Sequence, residues 1–167
     1  GAVRRLVASL VIIGAAANAA GCNQRPEPHN GIATVADVVD GDTIDVEIGG
    51  RTERVRLTGI DTPETKKPNS PVECWGPEAS AYTTSLLPVG TVVRIERDVV
   101  GRDDYGRLLG YVYLVDGSNL FVNLEIVEQG FAQPLTIEPN STFASEFAAA
   151  ARRAERSDRG MWGACSS

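Results

Sequence analysis

From residue 32 onward the chain sets short apolar runs, rich in Val, Ile and Thr, against polar positions in partial alternation. Residues 32–39, 43–48 and 52–60 carry this pattern, and Asp-Gly and Gly-Gly turns break it. A period near two with such punctuation predicts three consecutive strands, most simply a meander. Residues 91–97 and 108–114 predict two more strands, separated by an acidic, glycine-bearing connection over 98–106. Between the third and fourth strands the period changes. Gly76-Pro77-Glu78-Ala79 puts proline early and a carboxylate in the first turn, where the helix dipole favours it. Ala79, Tyr82 and Leu86 give that helix one apolar face before Pro88-Val89-Gly90 stops it.

Residues 119–129 predict a second helix ending at Gly130. Residues 141–159 predict a third, with Phe143, Phe147, Ala150 and Ala154 spaced for one buried stripe. Asn140-Ser141-Thr142 matches a glycosylation sequon but reads better as the cap of this helix. Five strands with one helix inserted after the third, then two helices, predict an α+β, mainly β fold. Its expected form is a closed five-stranded barrel with three α-helices on one side.

The amino-terminal segment differs in kind. Arg4 and Arg5 precede an apolar run and then small residues up to Cys22, the layout of a signal peptide over residues 1–21. The run is short against the roughly 20 residues of a membrane-spanning helix. Ala19-Ala20-Gly21-Cys22 also resembles a bacterial lipobox, with alanine where leucine is usual, so lipidation at Cys22 and plain secretion both stay open. Residues 22–30 are polar and proline-bearing and read as a flexible tether to a domain over 31–165. The expected location is outside the cytoplasm, secreted or membrane-anchored at the cell surface or periplasm. In an exported chain, where disulfides persist, Cys74 and Cys165 are then left to pair with each other.

A hydrophobic content of 43% supports a packed core. The formal charge of −6 argues against a tight packaging protein for polyanions, though not against an enzyme that must release its product. The single histidine, His29, lies in the tether. That excludes a Ser-His-Asp triad, a histidine zinc site and histidine-based nuclease chemistry. What remains is chemistry by carboxylates, arginines and a metal.

The stretch Arg56 to Glu64 concentrates those groups: a guanidinium, two carboxylates and a proline-stiffened turn. Asp42 follows a tight Asp-Gly turn and Asp61 ends the third strand, so one barrel can bring them together. Two acids with a backbone carbonyl suit a hard cation, Ca²⁺ or Mg²⁺. Each acid alone would read as a turn or cap residue. Glu64, just past Pro63, is placed to orient or deprotonate a water. Arg56 and Arg107 could neutralise phosphate oxygens bidentately. For Arg107 the plainer reading is a salt bridge with Asp103 or Asp104. Arg56, a charge between Val55 and Leu57, is expensive to bury without a purpose.

Asp40-Gly41-Asp42-Thr43, Arg56-Leu57, Ile60-Asp61-Thr62-Pro63-Glu64-Thr65-Lys66, Gly76-Pro77-Glu78-Ala79-Ser80-Ala81 and Asp103-Asp104-Tyr105-Gly106-Arg107 occur in that order. Together they resemble the staphylococcal nuclease (thermonuclease) family over roughly residues 32–162. The resemblance implies an OB-fold barrel and a Ca²⁺-dependent, sequence-nonspecific endonuclease. Such an enzyme hydrolyses single- and double-stranded DNA, and RNA, to 3′-phosphate products, and is expected to be a monomer whose only membrane link is a lipid anchor. By position, Asp42, Asp61 and the Thr62 carbonyl would hold calcium. Arg56 and Arg107 would bind the scissile phosphate, Glu64 would serve as the general base or position the water, and Tyr105 would lie against a terminal phosphate.

Two departures from the family pattern matter. Asp104 stands where the family has a lysine, and the family's nucleotide-site tyrosines are absent from residues 133–139. Both predict weaker binding of product nucleotides, because base stacking contributes roughly 1–3 kcal/mol per base. Two rival readings are a noncatalytic nucleic-acid-binding module and a structural envelope lipoprotein on the same barrel. Neither explains why Asp42, Arg56, Asp61, Glu64 and Arg107 all occur together.

Overall fold

The computed structural model describes residues 31–65 and 71–165. The expected signal peptide, the tether and Cys22 lie outside the described residues. Among the described residues seven strands and four helices follow in order: β1 (Gly31–Asp40), β2 (Thr43–Ile48), β3 (Arg51–Leu57), β4 (Ile60–Asp61), α1 (Gly76–Leu86), β5 (Val92–Glu96), β6 (Leu108–Leu114), α2 (Val122–Glu128), β7 (Gln133–Pro134), α3 (Ala144–Arg156) and α4 (Met161–Ala164).

The alternation in β2 shows why the barrel forms. Ile44, Val46 and Ile48 point inward and are buried, while Asp45 and Glu47 face out. β1, β2 and β3 form the expected antiparallel meander, β5 pairs back to β1, and the closed order is β1-β2-β3-β6-β5. Closure leaves no free barrel edge. One seam is parallel: Val55 pairs with Leu108 and Arg56 with Leu109, joining β3 to β6. Val35, Val55, Leu57, Val93, Ile95 and Val112 fill the interior. This is the α+β barrel that the pattern predicted.

α2 and α3 pack on each other beside the barrel. They bury Val122, Ile126 and Val127 against Phe147, Ala150 and Ala154. Buried Asn123 ties this layer to the strands. Its Nδ2 donates to the carbonyls of Thr58 and Gly110, and its Oδ1 accepts from the N–H of Val112. A buried amide with its hydrogen-bonding groups satisfied is a specific fastener. Here it fixes the turn that follows β3. Among the described residues no helix is long and apolar enough to cross a membrane.

The elements differ from expectation in several places, and the expected third helix is α3, Ala144–Arg156, followed by a short fourth helix, Met161–Ala164, after Gly160 turns the chain. The third strand stops at Leu57, because Gly59 turns the chain at φ +83° before Ile60–Asp61 pairs with Gln133–Pro134. The second helix starts at Val122, because Asn119 adopts a left-handed turn conformation. Asn140 does not cap α3. It is buried and grips the backbone of Val100, accepting from its N–H at 2.7 Å and donating to its carbonyl at 2.8 Å. The expected pair Cys74–Cys165 is disulfide-bonded with Cα atoms 5.9 Å apart, across a separation of 91 residues. Closing a loop of that length contributes about 4–5 kcal/mol in the chain-entropy view.

Candidate functional site

Two close backbone approaches set the site. At Gly41, between β1 and β2, a Cβ would stand 2.7–2.9 Å from the side chain of Thr62. At Gly76, where α1 begins, a Cβ would stand 3.1 Å from the Glu64 carbonyl and 3.2 Å from that of Pro63. Only glycine lets the turn and the helix press on residues 62–65 from both sides. Thr83, buried on α1, completes the contact by donating from its hydroxyl to the Gly41 carbonyl at 2.6 Å.

This packing brings the predicted residues together. Asp42 Oδ2 accepts from the Thr62 N–H at 3.0 Å and from its hydroxyl at 3.1 Å, and Oδ1 accepts from the Thr43 hydroxyl at 2.9 Å. Arg56 Nη2 lies 3.1 Å from Asp42 Oδ2 and 2.8 Å from Asp61 Oδ1. Its Nη1 donates to the carbonyls of Leu57 and Ile60, both at 2.7 Å. The guanidinium, with a side chain 14% exposed, therefore clamps the β3–β4 turn and draws two carboxylates to one nitrogen.

The carboxylates crowd one another. Asp61 is pushed above its ordinary pKa mainly by desolvation. Arg56 opposes this, while the charges of Asp42 and Glu73 add to it. Glu64 is also raised, first by a hydrogen bond with Asp40, then by burial, then by the charges of Asp40, Asp42 and Glu73. Asp40 in addition accepts from the Thr65 hydroxyl at 2.9 Å. Oxygen donors with an excess of negative charge match what a hard cation requires. Asp42 and Asp61, drawn together by Arg56, offer carboxylate oxygens of the kind such a cation takes. Among the described residues, no three Asp, Glu, His or Cys side chains form a metal-binding group by themselves.

Arg107 enters from the loop before β6. Asp103 organises that loop, accepting from the N–H groups of Tyr105 and Arg107 through Oδ1 and from Arg107 Nε at 2.7 Å through Oδ2. The salt bridge read from the sequence thus exists, and it aims the arginine. The guanidinium carbon lies 5.5 Å from the centre of the Tyr105 ring, which is 86% exposed. Arg56, Arg107 and Tyr105 line one cleft of about 400 Å³ whose walls include Asp104, Leu135 and Ile137. Asp42 and Asp61 adjoin it through Arg56.

Three contributors had no role assigned from sequence. Asp40 belongs to the Asp40-Gly41-Asp42-Thr43 motif, whose paired acids are the signal that points to it. Asp103 reads from the sequence only as a partner that makes Arg107 structural. Glu73, which binds the backbone of Glu64, gave no sequence signal at all.

The family model described as staphylococcal nuclease homologue matches residues 54–164. A thermonuclease of Staphylococcus intermedius is 40% identical over 128 residues, covering 77% of this chain and 74% of its own. A thermonuclease of Staphylococcus hyicus is 38% identical over 128 residues, covering 77% and 73%. Endonuclease YncB of Bacillus subtilis is 38% identical over 131 residues, covering 77% of this chain and 60% of its own.

Proposed function

The chain belongs to the staphylococcal nuclease family, and we propose that this nuclease is a Ca²⁺-dependent, sequence-nonspecific endonuclease that hydrolyses DNA and RNA to 3′-phosphate products. The observation that carries the reading is the arrangement around Arg56. It lines the same cleft as Arg107 while holding Asp42 and Asp61 through its Nη2.

Asp42, Asp61 and the Thr62 carbonyl would hold Ca²⁺, which when bound supplies positive charge beside the phosphate and lowers the barrier to water attack. Arg56 and Arg107 grip non-bridging phosphate oxygens and neutralise the charge that grows there as phosphorus becomes five-coordinate. Asp103 keeps Arg107 oriented throughout. Glu64 positions the attacking water and receives its proton. The new bond joins water oxygen to phosphorus and the bond to the 5′ oxygen breaks. That oxygen takes a proton from solvent, leaving a 3′-phosphate and a 5′-hydroxyl. Every assigned contact addresses phosphate, so base sequence and sugar are not discriminated.

Export agrees with the Cys74–Cys165 disulfide, which persists in oxidising compartments. The remaining parts of the reading are a monomer, secreted or held at the membrane through Cys22. The presence of all five charged side chains, Asp42, Arg56, Asp61, Glu64 and Arg107, counts against the noncatalytic alternative.

Digestion of single-stranded DNA with Ca²⁺, with EDTA, and by a Glu64→Gln variant tests the proposal. Cleavage should require Ca²⁺ and should collapse in the variant. Cleavage that ignores EDTA sinks the metal assignment, and no cleavage with any divalent ion promotes the binding module. Thermal melting gives a second readout. Ca²⁺ at about 100 times its dissociation constant should stabilise the protein by about 2.7 kcal/mol, and Asp61→Asn should lose most of that gain.

A further inference from the structure

Residues 62–65, which carry Glu64, belong to no helix or strand. Their backbone order must come from elsewhere, and at Glu64 it comes from one residue. The Glu64 N–H donates to Glu73 Oε2 at 3.0 Å, and the Glu73 N–H donates to the Glu64 carbonyl at 3.0 Å. Both backbone groups of Glu64 are therefore taken by Glu73. The Glu73 carbonyl accepts in turn from the N–H of Gly76, the first residue of α1, at 3.1 Å. The residue after Glu73 is Cys74, which is bonded to Cys165 just past α4.

The clasp lies at the surface, where water competes for each hydrogen bond. Two such bonds do not hold a loop against water. The disulfide changes this, because it fixes the neighbouring Cα and limits how far Glu73 can move away.

We propose that Glu73 is a positioning residue for Glu64, clasping its backbone at both ends, with the Cys74–Cys165 disulfide as the anchor of the clasp. The inference rests on the role given to Glu64 above. Fixing both backbone groups of Glu64, beside the restricted φ of Pro63, leaves its carboxylate only side-chain torsions to explore. Glu73 touches no substrate. Its loss therefore misplaces the acceptor of the water proton without weakening the arginine grip, and displacements of about 1 Å can cost around 100-fold in rate.

The test measures kcat, KM and melting temperature on single-stranded DNA with Ca²⁺. It compares wild type, Glu73→Ala, Glu73→Gln, Glu64→Gln and the double variant Glu64→Gln/Glu73→Ala. Glu73→Ala should lower kcat about 10–100-fold and leave KM within about twofold. Glu73→Gln keeps an oxygen that accepts from the Glu64 N–H and should restore most of the rate. Glu73→Ala should cost nothing further once Glu64 is Gln. An equal loss in both backgrounds, or no rescue by Gln, overturns the positioning role. A Glu64→Gln enzyme at full rate overturns the Glu64 assignment and this inference with it. Loss in Glu64→Gln but full rate in Glu73→Ala overturns the inference alone. Reducing the disulfide well below the melting temperature should lower kcat of wild type and not of Glu73→Ala. Unchanged wild-type turnover after reduction overturns the anchor.

Discussion

Asp42 and Asp61 meet on a single nitrogen: Arg56 Nη2 stands 3.1 Å from one carboxylate and 2.8 Å from the other. They reach it from the turn before β2 and from β4, 19 positions apart in the chain. The same guanidinium also caps two carbonyls of the turn that delivers Asp61. Structure and chemistry therefore cannot be separated at Arg56. Arg56→Ala should cost about 1–3 kcal/mol in stability, the usual penalty for stranding buried polar partners, and should also abolish most turnover. Denaturant unfolding beside kcat measures both. Arg56→Lys keeps the charge but not the planar fork, so it should recover stability better than rate.

Arg107 should separate the two effects. Its ion pair with Asp103 is partly exposed, and such pairs contribute at most about 1 kcal/mol. Arg107→Ala should leave the melting temperature nearly unchanged while kcat falls about 100- to 1,000-fold. Unchanged turnover removes Arg107 from the site.

Asp61 and Glu64 both titrate above their ordinary values. A carboxyl whose folded pKa is raised contributes stability that is fully present below its unfolded pKa and is lost as pH rises through the folded one. The ionised cluster therefore opposes folding at neutral pH when no divalent ion is bound. Glu64→Gln should melt higher than wild type at pH 7 in EDTA, and the difference should fade as pH falls to about 4. A difference that does not change with pH contradicts this account.

Asp104 and Glu138 line the nucleotide-sized cleft and would repel a terminal phosphate there. Asp104→Lys should tighten binding of a nucleoside 3′,5′-bisphosphate several-fold at low salt, with the gain shrinking as salt is added. Calorimetry at two ionic strengths measures it. An affinity that ignores the substitution places Asp104 outside the phosphate's reach.

The barrel was readable because its strands obey a two-residue period, clearest where Ile44, Val46 and Ile48 alternate with acids. Arg56 was readable for the opposite reason, as a charge out of place in an apolar strand. What escaped notice depends on contacts between segments rather than on local preference. The two-residue strands β4 and β7 are too short to show a period. Asn140 has the side chain of a helix cap, and nothing local distinguishes that use from gripping Val100 across the fold. Glu73 reads as one more surface acid until the chain around it closes back on Glu64.

The parallel seam of the barrel is what brings the two arginines of the cleft to one place. Arg107 directly precedes Leu108, the partner of Val55, and Arg56 pairs with Leu109, so two arginines far apart in the chain become neighbours by one short run of backbone bonds. A polypeptide emerging amino-terminus first carries Asp42, Arg56, Asp61 and Glu64 long before it carries Arg107. Half a phosphate grip is all it holds until β6 docks beside β3, and parallel pairing over that distance is among the slower steps of folding. The cleft has both of its arginines only once that seam has formed.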